Sequence, residues 1–148
     1  MENSFKIPQL FLRCALGITF LTPVADRLGI LGPLGTGNVE WGNWESFIDY
    51  TTLLMPFLER SAVNVMGGIA TFAEFAIGIL LILGYKTKYA AIAGAILTLI
   101  FISAMTVFIG IQKPINFGVF TACAASLLLS RIPVYKWSLD DLFKTADK

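Results

Sequence analysis

The chain has 148 residues, of which 56% are hydrophobic and 14% charged, with a formal net charge of +1 and a mean hydropathy of +0.74. Soluble domains of this length are about a quarter charged, so a membrane is the more natural solvent for this chain, and the length suits one domain. The small net charge leaves no electrostatic footprint for nucleic acid, and the absence of histidine removes the commonest metal ligand and general base, and with them most hydrolase and metalloenzyme chemistry.

Met1-Glu2-Asn3-Ser4-Phe5-Lys6 leads into an apolar run that carries Arg13 and has no small-residue cleavage site, the pattern of a retained helix and not of a signal peptide. Crossing about 30 Å of hydrocarbon takes roughly 20 apolar residues in a helix. Four runs meet or approach that length, at about 7–30, 61–83, 89–111 and 115–132. The first contains Arg13, Pro23 and Asp26-Arg27, the second Glu74, the third no charge, and the fourth none before Arg131. Lys86-Thr87-Lys88 and Gln112-Lys113-Pro114 separate the last three, which predicts tight antiparallel hairpins. These runs do not alternate as the strands of a membrane barrel do, so the expected fold is an all-α, four-helix transmembrane bundle. Its one long connection, Leu28 to Arg60, lies on the outer side between the first and second spans. Gly29 to Asn38 is turn-rich. Trp44, Phe47, Ile48, Leu54, Met55 and Leu58 then fall near one helical face, as in a segment that lies in the interface and caps the bundle. Cys14 and Cys123 sit in apolar runs without a CxxC pattern and read as small core hydrophobes.

Placing the N-terminus inside puts Lys6, Lys86, Lys88, Arg131, Lys136, Lys144 and Lys148 on the cytoplasmic side. Arg60 and Lys113 are then outside, with Arg27 at the outer end of the first span. That bias is the positive-inside pattern. It predicts a multi-pass membrane protein with both termini cytoplasmic. Tyr85, Tyr89, Tyr135 and Trp137 fall at the inner boundary, and Trp41, Trp44 and Tyr50 at the outer one, where headgroups accommodate an apolar ring with a polar tip.

Ionisable groups inside a membrane are costly, and each needs a partner. Counted from the inner helix ends, Arg13 and Glu74 differ in depth by about 4–5 Å, within reach of an arginine side chain, so a buried Arg13–Glu74 ion pair is expected. Two roles stay open for it: a structural fix between two helices, or a site where Glu74 handles a proton or Arg13 holds an anionic or quinone-like head group. Gly67, Thr71, Glu74 and Gly78 recur at helical spacing as a small and polar stripe, matched by Arg13 and Gly17, which favours close helix contact in lipid. A second constellation follows Pro23, whose missing N–H permits a kink. Thr22, Asp26, Arg27, Trp41, Trp44 and Asn116 are expected to form an outer polar pocket, or else to be helix-end charges that meet headgroups. No metal site is expected.

Phe11-Leu12-Arg13-Cys14-Ala15-Leu16-Gly17-Ile18-Thr19-Phe20-Leu21 resembles the opening of DoxX-like membrane proteins, where an arginine precedes a Leu-Gly-x-x-Phe-Leu run. The stretch from Ala73-Glu74-Phe75 through Gly78 and Gly84 to Lys86-Thr87-Lys88 is similar to that family's second signature. Val24 to Gly29, with Asn38 to Trp44, looks like one bacterial branch of it; the commoner Gly-x-x-Lys after the first motif is absent. The resemblance covers nearly the whole chain. It implies a four-helix bundle and an association with membrane oxidoreductases, since relatives include the small DoxD-type subunit of a thiosulfate:quinone oxidoreductase. The chain has no Rossmann fingerprint, haem ligand set or iron–sulfur cysteines, so redox cofactors would reside in a partner subunit. A quinone is the cofactor that the family relationship suggests. The expected function is thus a membrane subunit of a quinone-linked oxidoreductase acting on a small substrate, in which a sulfur anion is a family-level inference. Two other classes stay open: a small transporter, which with four helices per chain calls for a homo-oligomer, and a non-catalytic scaffold.

Overall fold

The computed structural model describes residues 5–37 and 39–146; residues 1–4, Asn38, the side chains of Lys144, Thr145 and Ala146, and residues 147–148, with Lys144 and Lys148 of the charge count above, lie outside it. Among the described residues every regular element is a helix. Three of them, α1 (Lys6–Arg27), α3 (Arg60–Leu83) and α4 (Thr87–Phe108), are long and apolar enough to cross a membrane and fall on the first three predicted spans. Between α1 and α3 the turn-rich stretch comes first, followed by α2 (Trp44–Leu54). The Asn43 side chain caps α2 by accepting the Ser46 N–H at 2.9 Å, a contact that satisfies one of the orphan donors of a helix start.

The fourth predicted run is not one helix. It divides into α5 (Gln112–Asn116) and α6 (Val119–Ser130), because Gly118 between them adopts φ 66°, a left-handed conformation that interrupts a right-handed helix. The 12 residues of α6 give only about 18 Å of rise. A last helix, α7 (Leu139–Ala146), was not among the predicted elements.

Helix α1 packs on α3, and α4 packs on α6, with α3 against α4 joining the two pairs. Close approach explains both main contacts. A Cβ at Gly17 would lie 2.5 Å from Ile82 Cγ1 and 3.0 Å from the Gly78 carbonyl, and one at Gly78 would lie 2.7 Å from Leu21 Cγ. The expected small stripe on α3 is therefore a real contact face: Gly78 meets α1, and Gly67 lies under Phe47 and Ile48 of α2. On α4, Gly94 accommodates the Phe20 ring, and Ala90, Ala91 and Ala95 are buried. The core formed by Leu16, Phe20, Ile77, Leu81, Ala122 and Leu129 sits among α1, α3, α4 and α6. Outward, the long helices carry large apolar side chains that protein does not cover, such as Phe11 at 75% exposure, Phe72 at 73% and Val107 at 73%. Such a band is unfavourable in water and compatible with lipid. Cys14 and Cys123 are both free thiols.

These contacts predict opposite outcomes for two glycines in one structure. Gly17→Val overpacks the α1–α3 contact and should lower the unfolding free energy by about 1–3 kcal/mol. Gly68→Ala, at a position with open space around it, should lower it not at all. Unfolding in mixed detergent–SDS micelles, followed by helical circular dichroism, measures both.

Candidate functional site

The partner of Glu74 is Arg27. Both side chains are buried, at 5% and 4% exposure. Arg27 Nη1 donates to Glu74 Oε2 and, at 2.8 Å, to Thr71 Oγ1. The expected Arg13–Glu74 pair is not formed, and the register explains why. The Gly17–Gly78 contact sets Leu21 opposite Glu74, with Arg13 about 12 Å away on one side and Arg27 about 9 Å away on the other at roughly 1.5 Å per residue; side chains lean toward their own helix's N-terminus, which brings Glu74 and Arg27 together and points Arg13 away. The expectation assumed level inner ends, but α1 starts beyond the end of α3, alongside the C-terminal segment. There Gln9 Nε2 donates to the Lys136 carbonyl at 2.8 Å, and Arg13 Nη2 to the Trp137 carbonyl at 2.8 Å. Trp137 has φ 53°, an uncommon conformation for a bulky residue, and Gly84 is so close that a Cβ there would lie 2.6 Å from Arg13 Nη1. Arg13 is thus a tie between α1 and the chain beyond α6.

The side chain next to Arg27 shapes the rest of the site. Asp26 is buried, and its carboxylate accepts the main-chain N–H groups of Glu40 at 2.8 Å and Gly42 at 2.7 Å, with that of Trp41 at 3.3 Å. Three main-chain donors on one carboxylate hold the returning loop against the end of α1. That loop brings Trp41 over the Arg27 guanidinium at 5.3 Å, while Phe47 of α2 stacks on it at 4.0 Å. Both distances lie within the range of cation–π attraction. Trp41 also contacts Phe47 and Tyr50, with ring centroids 5.5 and 5.7 Å apart. Only α1, α3 and the α2 segment acting together could bury this arginine.

Beneath α2 lies a cavity of about 230 Å³ whose lining includes Arg27, Glu74, Trp41, Tyr50, Phe101 and Met105. Its walls are otherwise almost wholly apolar, from Phe20, Leu54, Ala70, Ala104 and Ala122. Three of its lining residues carry a buried donor with no acceptor: Arg27 Nε, Trp41 Nε1 and the Tyr50 hydroxyl. Burial, with the Glu40 carboxylate adding to it, pushes the Tyr50 phenol up to about 12, so this group stays protonated, and remains a donor, at any physiological pH. Unsatisfied buried donors cost about 1–3 kcal/mol each, and a ligand bearing acceptors would recover that loss. Among the described residues no cluster of side chains suits a metal ion.

No protein-family model, curated protein or solved structure matches this chain.

Of the residues singled out from sequence, the cavity gathers Arg27, Trp41 and Glu74. The outer-pocket expectation is corrected at the other four. Asp26 acts one step behind the cavity by holding Trp41 in place. Thr22 is exposed and donates back to the Ile18 carbonyl, since a helical threonine can satisfy itself on its own backbone. Trp44 donates from Nε1 to Asn64 at 2.8 Å, outside the cavity lining, and Asn116 is exposed at the end of α5. Sequence reasoning missed Tyr50, read only as an interfacial anchor, and Thr98, a polar residue in the charge-free run of α4. The signal for Tyr50 was its spacing of three from Phe47, on the same face of α2.

Removing one partner from a buried ion pair strands the other charge. Arg27→Met and Glu74→Gln should each cost about 3–5 kcal/mol of stability, and the double variant should cost clearly less than their sum. Arg13→Met combined with Glu74→Gln should instead be additive within about 0.5 kcal/mol. Chemical unfolding of the set in micelles gives both cycles.

Proposed function

We propose that this chain is a DoxX-like, four-span protein of a bacterial inner membrane that binds a quinone-class head group beneath α2. In that role it serves as the membrane subunit of an oxidoreductase system. The observation that carries this reading is the apolar cavity lined by a neutralised arginine–glutamate pair and by three buried donors without acceptors. A quinone ring is neutral, flat and apolar, with carbonyl acceptors and no donors, so it complements that inventory. At about 230 Å³ the space suits a ring and not a whole isoprenoid quinone; drug-sized sites run from about 300 Å³ upward. The tail would leave sideways, past Met66 and Ile100, which line the cavity and are also exposed on the outside of the bundle.

Arg27, Trp41 and Tyr50 are the residues that would hold the ring, and Phe47 and Asp26 keep the first two in position. A bound quinone would supply electron-accepting capacity, with the electrons coming from a partner enzyme that carries its own redox cofactor. The α6–α5 unit, split at Gly118, is the fourth crossing in this reading, with the interfacial segment and α5 at the outer end. The lysine-rich end, where α1 begins, then faces the cytoplasm.

The test is a titration of the purified chain, with Trp44→Phe and Trp137→Phe in place, with a short-chain benzoquinone. Trp41 emission should be quenched saturably in the micromolar range. Tyr50→Phe removes one neutral hydrogen bond and should weaken binding by about 2–10-fold. Ala104→Phe, which fills the cavity, should abolish saturation while the protein stays folded. Linear quenching, the same in all three proteins, would mean that no quinone site exists and would move the assignment to a scaffold.

A further inference from the structure

The end of the bundle where α1 begins carries a second concavity, unrelated to the one beneath α2. A groove of about 970 Å³ is bounded by Lys86, Lys88 and Arg131 and by Tyr89, with Ile92 and Leu127 continuing it along α4 and α6. The three cations come from two different elements: two from the turn that opens α4, and one from the residue that caps α6. All three are exposed, and none makes a salt bridge among the described residues. At the other end of the bundle, by contrast, Arg60 is tied to both Asp49 and Glu45.

The backbone of this groove is built rather than loose. Gly84 ends α3 in the left-handed region at φ 67°, and Lys86 follows at φ 48°, a conformation that costs a non-glycine residue about 1 kcal/mol. Asp140, from the start of α7, holds that turn. Its carboxylate accepts the N–H of Lys86 at 2.7 Å and of Thr87 at 2.8 Å, and its own N–H donates to the Gly84 carbonyl at 2.9 Å. The one carboxylate lining the groove is therefore engaged with main-chain donors on both oxygens. Three cations against this one carboxylate leave the groove with a surplus of two positive charges.

Position decides what supplies that counter-charge. Lys86 and Lys88 stand at the first turn of α4, a helix long and apolar enough to cross a membrane. Ile92 and Leu127, at 37% and 54% exposure, present apolar surface directly beyond the cations. Tyr89, 71% exposed, adds a phenol at the level where tyrosines meet headgroups. A cationic rim over an uncovered apolar wall matches a molecule with an anionic head and hydrocarbon chains, and basic pockets between membrane helices take phosphate headgroups in this way. We propose that this groove is a binding site for one anionic phospholipid. Its phosphodiester sits among Lys86, Lys88 and Arg131, and its acyl chains run along Ile92 and Leu127. The site is independent of whatever occupies the cavity beneath α2.

Native mass spectrometry of the full chain, released from micelles holding equal phosphatidylglycerol and phosphatidylcholine, tests the assignment. One phosphatidylglycerol should stay bound in preference to phosphatidylcholine. Lys88→Gln and Arg131→Gln should each reduce its retention about fivefold, the effect of removing one basic residue near a lipid phosphate. Lys88→Arg and, at the opposite end, Lys113→Gln should leave it unchanged. Glycerol 3-phosphate at matched concentration should not displace the lipid. Equal retention of the two lipids in the wild-type protein overturns the proposal without any variant. So does full retention in the Lys88→Gln/Arg131→Gln double variant, and displacement by glycerol 3-phosphate would reassign the groove to a soluble phosphate.

Discussion

Taking an arginine and a glutamate out of water costs several kcal/mol for each ion, and mutual attraction offsets this only when geometry and further hydrogen bonds are good. Arg27 and Glu74 meet that condition through a third group, Thr71, and through the ring of Phe47 at 4.0 Å. The arrangement constrains three elements at once. It fixes which face of α1 meets α3, seats α2 across the end of both, and requires the loop before α2 to bring Trp41 back over the guanidinium. The cavity beneath α2 exists because these demands leave a space that no side chain fills.

The two ends of the molecule share a device. At one end Asp26 of α1 gathers the N–H groups of residues 40–42; at the other Asp140 of α7 gathers those of Lys86 and Thr87. In each case a carboxylate from one element ties down a connection from another, using main-chain donors that no helix satisfies. The result is a bundle whose connections are anchored to distant parts of the chain, and whose charged side chains are freed for other work or left in the open, as at Lys88 and Arg131.

Much of the helical frame was legible because hydrophobic run length is a strong signal. Three spans fall within a few residues of α1, α3 and α4, and the apolar face of Trp44 to Leu58 did mark a helix there. The fourth run was not legible as two pieces. Composition does not reveal that Gly118 adopts a left-handed conformation, since a glycine inside an apolar stretch is equally at home in a helix contact, as Gly78 is. The ion pair was half legible. A glutamate inside an apolar run calls for a basic partner, but choosing between Arg13 and Arg27 depends on the axial offset of two helices. That offset is set by the Gly17–Gly78 contact, a property of the pair and not of either sequence segment. The role of Asp26 depended on a loop of 13 residues folding back on itself, beyond any periodicity argument.

The separation of Arg27 from Glu74 in the chain, 47 residues, bears on how the protein is made. Translation proceeds at about 5–20 residues per second, so Arg27 leaves the ribosome some 2–10 s before the carboxylate that pairs with it. During that interval α1, the least apolar of the three long helices at a mean hydropathy of 1.4 against 2.1 and 2.3, has no buried place for its last turn. Until Glu74 is made, water at the membrane surface is the partner open to the guanidinium. Insertion of the first helix is thereby completed by the third, and a chain interrupted before Glu74 would carry an orphan cation that marks it as unfinished.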